Sequence, residues 1–199
     1  MQHNADTRHR RSIRLKGYDY KQAGAYFVTV CTQTRACFFG DVVDGEMRLN
    51  DAGRMVEHWW FELNGKFPAV ETDEFVIMPN HLHGIVIITG TIVGADLRVG
   101  PVPDGADTGD QGAHAGAPLP TVIQWFKTMT TNEYIRGVKT ASWPPFNRRL
   151  WQRNYYEHII RDDESLNRIR QYVLDNPASW PVDRENPEAI APEPENPWL

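Results

Sequence analysis

Residues 73–89 read DEFVIMPNHLHGIVIIT: two apolar, β-branched runs, 73–78 and 82–89, joined tightly around Pro79-Asn80. A parallel pair needs a crossover of about a dozen residues or more, so strands this close in sequence pair antiparallel. That pairing is the strongest constraint on the fold. Residues 25–32 (AYFVTVCT) predict a further buried strand. Residues 37–43 and 46–49 flank Asp44-Gly45, a two-residue hairpin signal, with Cys37 opening the first of the two strands.

Helices fill the gaps. Asn50-Asp51 caps a helix bearing Met55, Val56, Trp59, Trp60 and Leu63, which Asn64-Gly65 ends. A second runs from Pro120-Thr121 through Arg136, with Val122, Trp125, Phe126 and Met129 on one face. A third begins near Asp162-Asp163 and ends at Asn176, because a residue before proline avoids the helical region. Residues 140–147 are a proline-broken loop. The order strand, hairpin, helix, two strands, helix, helix predicts an α+β domain: an antiparallel sheet with helices packed on it.

The 199 residues suit one domain, 1–182, with two attachments. Residues 94–119 are rich in Gly, Ala, Pro and Asp and read as a flexible acidic insertion. Residues 183–199 hold five acids, one base and four prolines and read as an irregular acidic tail. The net charge of −5 argues against a nucleic-acid partner only when taken whole. The insertion carries −3 and the tail −4, so the remaining residues carry +2. Arg8, Arg10, Arg11, Arg14 and Lys16 form a basic arm without an acid. The longest apolar stretch, 84–95, is shorter than the ~20 residues of a membrane-spanning helix. The basic N-terminus lacks the apolar core of a secretory signal, and two cysteines, Cys31 and Cys37, suit a reduced cytoplasmic compartment.

Three features bear on chemistry. In a strand, His81 and His83 share one face and Leu82 the other, so two imidazoles stand side by side, as in a chelate for a divalent cation or as two polar residues on a wet face. In the last helix Leu166, Ile169 and Val173 form the buried stripe, and Tyr172 and Asn176 lie one turn apart at its edge. Trp151, Tyr155 and Tyr156 form an aromatic cluster suited to packing or to base stacking. His58 reads as exposed on the first helix, His114 as part of the insertion, and His158, which follows Tyr156-Glu157, as a candidate neighbour of the site; Cys31 reads as a core residue.

The segments MPNHLHGIVI (78–87), IQWFKTMTTNEYIR (123–136), WQRNYYEHIIRDDESLNRIRQYVLDNP (151–177) and the YFVTVCT strand resemble the single-tyrosine HUH transposases of the insertion-sequence class, and most of all their REP-associated branch. HUH denotes His, bulky hydrophobe, His, here His81-Leu82-His83. The resemblance covers about residues 12–182 without the insertion, and its specific part is His-Leu-His followed far downstream by Trp-Gln-Arg and Tyr-Val-x-x-Asn-Pro.

It implies a ferredoxin-like HUH core, Mg2+ or Mn2+ held by His81, His83 and Asn176, and Tyr172 as nucleophile. Where several relatives carry Gln, this chain has the shorter Asn176. The implied reaction cleaves and rejoins single-stranded DNA through a 5′-phosphotyrosine link on hairpin-forming palindromes, in a nucleoid-associated protein acting as monomer or homodimer. The basic arm, with Arg148, Arg149 and Arg153, suits phosphate contacts. Two other readings share these residues: a catalytically inactive DNA-binding module of the same fold, and a His-x-His metal hydrolase.

Overall fold

The computed structural model describes residues 23–89 and 117–189. Its elements, in chain order, are β1 (Gly24–Cys31), β2 (Gly40–Val43), β3 (Glu46–Leu49), α1 (Asp51–Lys66), β4 (Val70–Ile77), β5 (His81–Ile88), α2 (Leu119–Thr140), β6 (Tyr156–Ile160) and α3 (Asp163–Ser179). A short 3-10 turn, Trp180–Val182, follows α3. The main sheet has the order β4-β5-β1-β6 and is antiparallel throughout. β2 and β3 form a separate hairpin whose turn residues, Asp44 and Gly45, both have positive φ. That conformation matches the twist of two-residue hairpins and suits the Asp-Gly pair.

Sheet and helices form three layers. β5 lies inside the sheet and is covered on both faces, which explains its near-continuous apolar run. Tyr26, Val28, Val30, Leu82 and Val86 face a core shared with Val56, Trp60 and Leu63 of α1 and Val122, Ile123 and Phe126 of α2. Phe27, Ile85 and Ile160 face the other way, against Ile169 and Val173 of α3. Two helices therefore cover one face and the tyrosine-bearing helix the other.

At Gly84 the Trp60 ring of α1 packs directly on the β5 backbone. A Cβ there would lie 2.4 Å from the Trp60 ring, which is fully buried and has no room to retreat. Gly84→Ala is expected to destabilise the fold by about 1–3 kcal/mol through overpacking, read as a lowered midpoint in urea. An unchanged midpoint would show that the interface yields.

Several expectations need correction. The expected order holds no strand between the second and third helices; the structure pairs residues 156–160 with residues 25–29 of β1 as an edge strand, β6. Their alternation is blurred because Glu157 and Ile159 point to the α1/α2 side while Tyr156, His158 and Ile160 point to the α3 side. α3 does not end at Asn176; it continues through Pro177 to Ser179. The lost hydrogen bond and the pre-proline restriction are outweighed by tertiary packing, since Asn176 is buried and the Trp180 ring lies 6.1 Å from His81, tilted against it. Cys37 is exposed and precedes β2, and the segment there is held by Phe38 and Phe39 N–H bonds to Pro79 O. β4 begins at Val70, with a register shift between Thr72 and Phe75. α1 and α2 run past their expected ends, to Lys66 and Thr140.

Other local expectations hold. Asn50 caps α1 by accepting from Gly53 N, and Asp162 caps α3 by accepting from Ser165 N. His58 is exposed. Residues 183–189 carry no regular element, but Asp183 and Glu185 are buried, so this segment packs on the domain rather than standing off it as an acidic attachment. The basic arm Arg8–Lys16, His114 and almost all of the insertion lie outside the described residues.

Candidate active site

Alternation along β5 puts His81 and His83 on the α3 face, where strand pairing sets Cys31 opposite His81 and Thr29 opposite His83. Both imidazoles are buried rather than on a wet face. Their Nε2 atoms converge to 3.1 Å. Each Nδ1 is engaged behind: His81 Nδ1 with Asn80 Oδ1 at 2.8 Å, and His83 Nδ1 with Thr29 Oγ1 at 2.8 Å. Phe27 stacks on His83 with centroids 5.3 Å apart.

α3 delivers the tyrosine. Its Ile169–Val173 stripe packs on Phe27, Ile85 and Ile160, and this seats Tyr172 against the histidines. The Tyr172 hydroxyl lies 3.5 Å from His83 Nε2, and its ring meets His83 edge-on at 5.3 Å and Phe27 at 5.9 Å. One turn on, Asn176 is buried, and its Oδ1 has no hydrogen-bond partner. A two-pronged ion pair fastens the helix to the sheet: Arg170 Nε and Nη2 donate to the two carboxylate oxygens of Asp73 at 2.8 and 2.6 Å. That fork holds the Asp73 carboxyl below its usual range.

Asp183 is the residue that sequence reasoning missed. It stands in the acidic tail as read from sequence, one of five acids there, and no local signal separates it from the others. In the structure it is buried, with Oδ2 3.7 Å from His81 Nε2 and Oδ1 accepting from Glu185 N. Glu185 in turn pairs with Arg35 at 3.1 Å and Arg184 at 3.2 Å. Cys31 is half-buried at the end of β1, and burial and the neighbouring Glu185 push its thiol up.

Burial drives the protonation states. It pushes His81 down to about 3, opposed in part by the nearby Asn176 side chain, although no donor meets Asn176 Oδ1 in hydrogen-bond geometry. His83 is held well below its ordinary value by burial first and by His81 second. Asp183 is raised, again by burial first, with Glu185 N–H, Arg184 and Arg35 opposing. Two neutral imidazoles, an orphaned amide oxygen and a buried carboxylate make a set that lacks only positive charge.

This set fits a divalent cation. Adjacent ligands of an octahedral ion with bonds of about 2.1 Å stand about 3 Å apart, close to the Nε2–Nε2 separation. His81, His83 and Asp183 offer three ligand atoms within 4.8 Å of one another. Tertiary structure thus brings together His81, His83, Tyr172 and Asn176, which lie up to 95 positions apart in sequence, and adds Asp183.

The other singled-out residues lie around this centre. Arg148, Arg149 and Arg153 are exposed on the loop whose Leu150 and Gln152 bond the end of β1, through Gln33 N to Leu150 O and Gln152 N to Cys31 O. That loop borders the His81 end of the sheet. Lys127, buried, donates to Gln152 O and Asn154 O and steadies the approach to β6. Tyr156 and His158 are half-buried on the α3 face, whereas Tyr155 lies on the opposite one, its ring 5.3 Å from Lys127 Nζ.

The fold and the paired histidines define a protein of the HUH fold. The chain is similar in structure to a REP-associated tyrosine transposase solved bound to a REP hairpin, with TM-score 0.50 and 18% identity over 79% of this chain and 68% of that one. A candidate transposase from Deinococcus radiodurans overlays at TM-score 0.40 and 13% identity, over 81% of this chain and 95% of that one. An uncharacterized protein of Haemophilus influenzae is 39% identical over 190 residues, 92% of this chain and 96% of its own length. The chain belongs to the family of that Haemophilus protein. No protein-family model matches the chain. Among the described residues, no helix is long and apolar enough to cross a membrane.

Proposed function

We propose that the protein is a metal-dependent DNA transposase that cleaves and rejoins hairpin-forming single-stranded DNA through Tyr172. The observation that carries this reading is the Tyr172 hydroxyl 3.5 Å from His83 Nε2, beside two converging, neutral imidazoles. The likeness to a transposase bound to a REP hairpin supports the choice of DNA substrate.

His81, His83 and Asn176 are the proposed metal ligands, with Asp183 as a further candidate. Mg2+ or Mn2+ held there would polarise the scissile phosphate and align it with the phenol. Tyr172 Oη bonds to phosphorus while the bond from phosphorus to the 3′-oxygen breaks. The phenol gives up its proton to solvent, and the leaving 3′-oxygen takes one from solvent to become a hydroxyl. The resulting 5′-phosphotyrosine is itself a phosphodiester, so a 3′-hydroxyl can reverse the step and rejoin strands without ATP. The proposed cleaving unit is a monomer or a homodimer.

Arg148, Arg149 and Arg153, with the arm Arg8, Arg10, Arg11, Arg14 and Lys16, are the proposed phosphate contacts. Incubation with hairpin single-stranded DNA and Mn2+ is expected to give a covalent protein–DNA band on a denaturing gel. Binding should weaken steeply with salt, and Arg149→Ala or Arg153→Ala should each flatten the log K against log salt slope by about 0.7. Tight, salt-sensitive binding with no covalent band would instead favour an inactive DNA-binding module. Absence of both would overturn the proposal.

A further inference from the structure

Asn80, at the turn between β4 and β5, makes three side-chain hydrogen bonds. Its Nδ2 donates to Arg35 O at 2.9 Å and to Glu185 O at 2.7 Å, while its Oδ1 meets His81 Nδ1 at 2.8 Å. Two backbone carbonyls only accept, so both amide hydrogens are committed and the nitrogen must face them. The oxygen therefore faces His81 and can only accept, which places the ring hydrogen on Nδ1. A neutral imidazole has a single N–H, so the lone pair falls on Nε2, toward His83 and Tyr172.

His83 is held differently. Its Nδ1 partner is the Thr29 hydroxyl, which donates or accepts with equal ease. With His81 Nε2 fixed as acceptor, the 3.1 Å contact requires His83 Nε2 to donate and Thr29 to donate into His83 Nδ1. Rotation of the Thr29 hydroxyl reverses this and frees His83 Nε2. One histidine is locked, the other adjustable.

We propose that Asn80 is a positioning residue for the metal centre: it locks His81 in the tautomer whose Nε2 lone pair faces the site, and the same amide ties the Asp183-bearing segment to the start of β5. The proposal rests on the metal-binding reading of the site. It joins residues 35, 80, 81 and 185 in one network, so ligand geometry and the placement of Asp183 are set together. Partners of this kind orient a ligand and raise its basicity, and their removal typically weakens metal binding by about 10–100-fold.

The first test needs neither metal nor variant. Long-range 1H–15N NMR on the metal-free protein should show His81 as the Nδ1–H tautomer; an Nε2–H tautomer would overturn the proposal. Asn80→Ala should leave His81 in mixed tautomers and weaken Mn2+ binding, measured by calorimetry, by about 10–100-fold. Affinity within about twofold of wild type would overturn it. Asn80→Asp still accepts from His81 Nδ1 but loses both donations, so it should keep the tautomer while the Glu185 amide exchanges faster with solvent. Unchanged Glu185 exchange in that variant would overturn the tie to the Asp183 segment. Wild-type protein with the expected tautomer but no Mn2+ binding would overturn the metal reading and leave the hold of Asn80 on His81 standing.

Discussion

Tyr172→Phe protein is expected to bind hairpin single-stranded DNA as the wild type does and to form no covalent band with it in Mn2+. The substitution removes one oxygen and keeps the ring, so the edge-on contacts with His83 and Phe27 survive and α3 stays seated on Ile85 and Ile160. Only the atom that would bond to phosphorus is lost. A free phenol, with a pKa near 10, is ionised to about one part in a thousand at pH 7, a deficit of roughly 4 kcal/mol that the site must offset. No other phenol of the described residues is placed to inherit that role without rearrangement. Tyr155 is on the opposite face of the sheet, and Tyr156, on the same face, packs edge-on against Phe27 at 6.5 Å with its hydroxyl pushed up by burial. An adduct that persists in Tyr172→Phe would therefore point to Tyr156, and mapping the DNA-linked peptide would distinguish the two.

His81→Ala is expected to abolish stabilisation by Mn2+. An ion that binds only the folded state at a hundred times its Kd adds about 2.7 kcal/mol, or roughly 5–10 °C in Tm for a chain of this size. Wild-type protein should show that shift and His81→Ala should not; a shift retained in the variant would place the ion elsewhere. The same residues predict an acid lability. Both imidazoles are held neutral when folded, whereas the unfolded chain takes up protons near its ordinary value of 6.5. The unfolded state therefore binds more protons below that pH, and stability is lost as pH falls from 6.5 toward about 3, the value for folded His81. Each histidine contributes up to about 1.4 kcal/mol per pH unit in that window. Urea midpoints measured at several pH values should fall more gently in a His81→Ala, His83→Ala double variant than in the wild type.

Much of this was legible in the chain because it is local. The 73–89 hairpin, the Asp44-Gly45 turn and the caps at Asn50 and Asp162 depend on a few neighbouring residues, and each stands where those neighbours predict. The shared face of His81 and His83 follows from the two-residue period of a strand, and the Tyr172–Asn176 spacing from one helical turn. Failures came where a distant contact overruled a local preference. Asn176-Pro177 reads as a helix end, yet burial of Asn176 beside His81 carries α3 onward. β6 was unreadable because its two faces meet different layers, one under α2 and one beside α3.

By itself, then, the amino-acid sequence determined which side chains point together along one element: two imidazoles on β5, and a phenol and an amide on α3. Only the tertiary structure decided that these two elements meet, that burial keeps the imidazoles neutral, and that Asp183 and Asn80 belong to the same centre. The physical reason lies in range. Side-chain direction is set by backbone periodicity within a few residues, whereas the approach of Asp183 to His81 depends on packing across about a hundred positions. No feature of an acid among acids announces which of them that packing will bury.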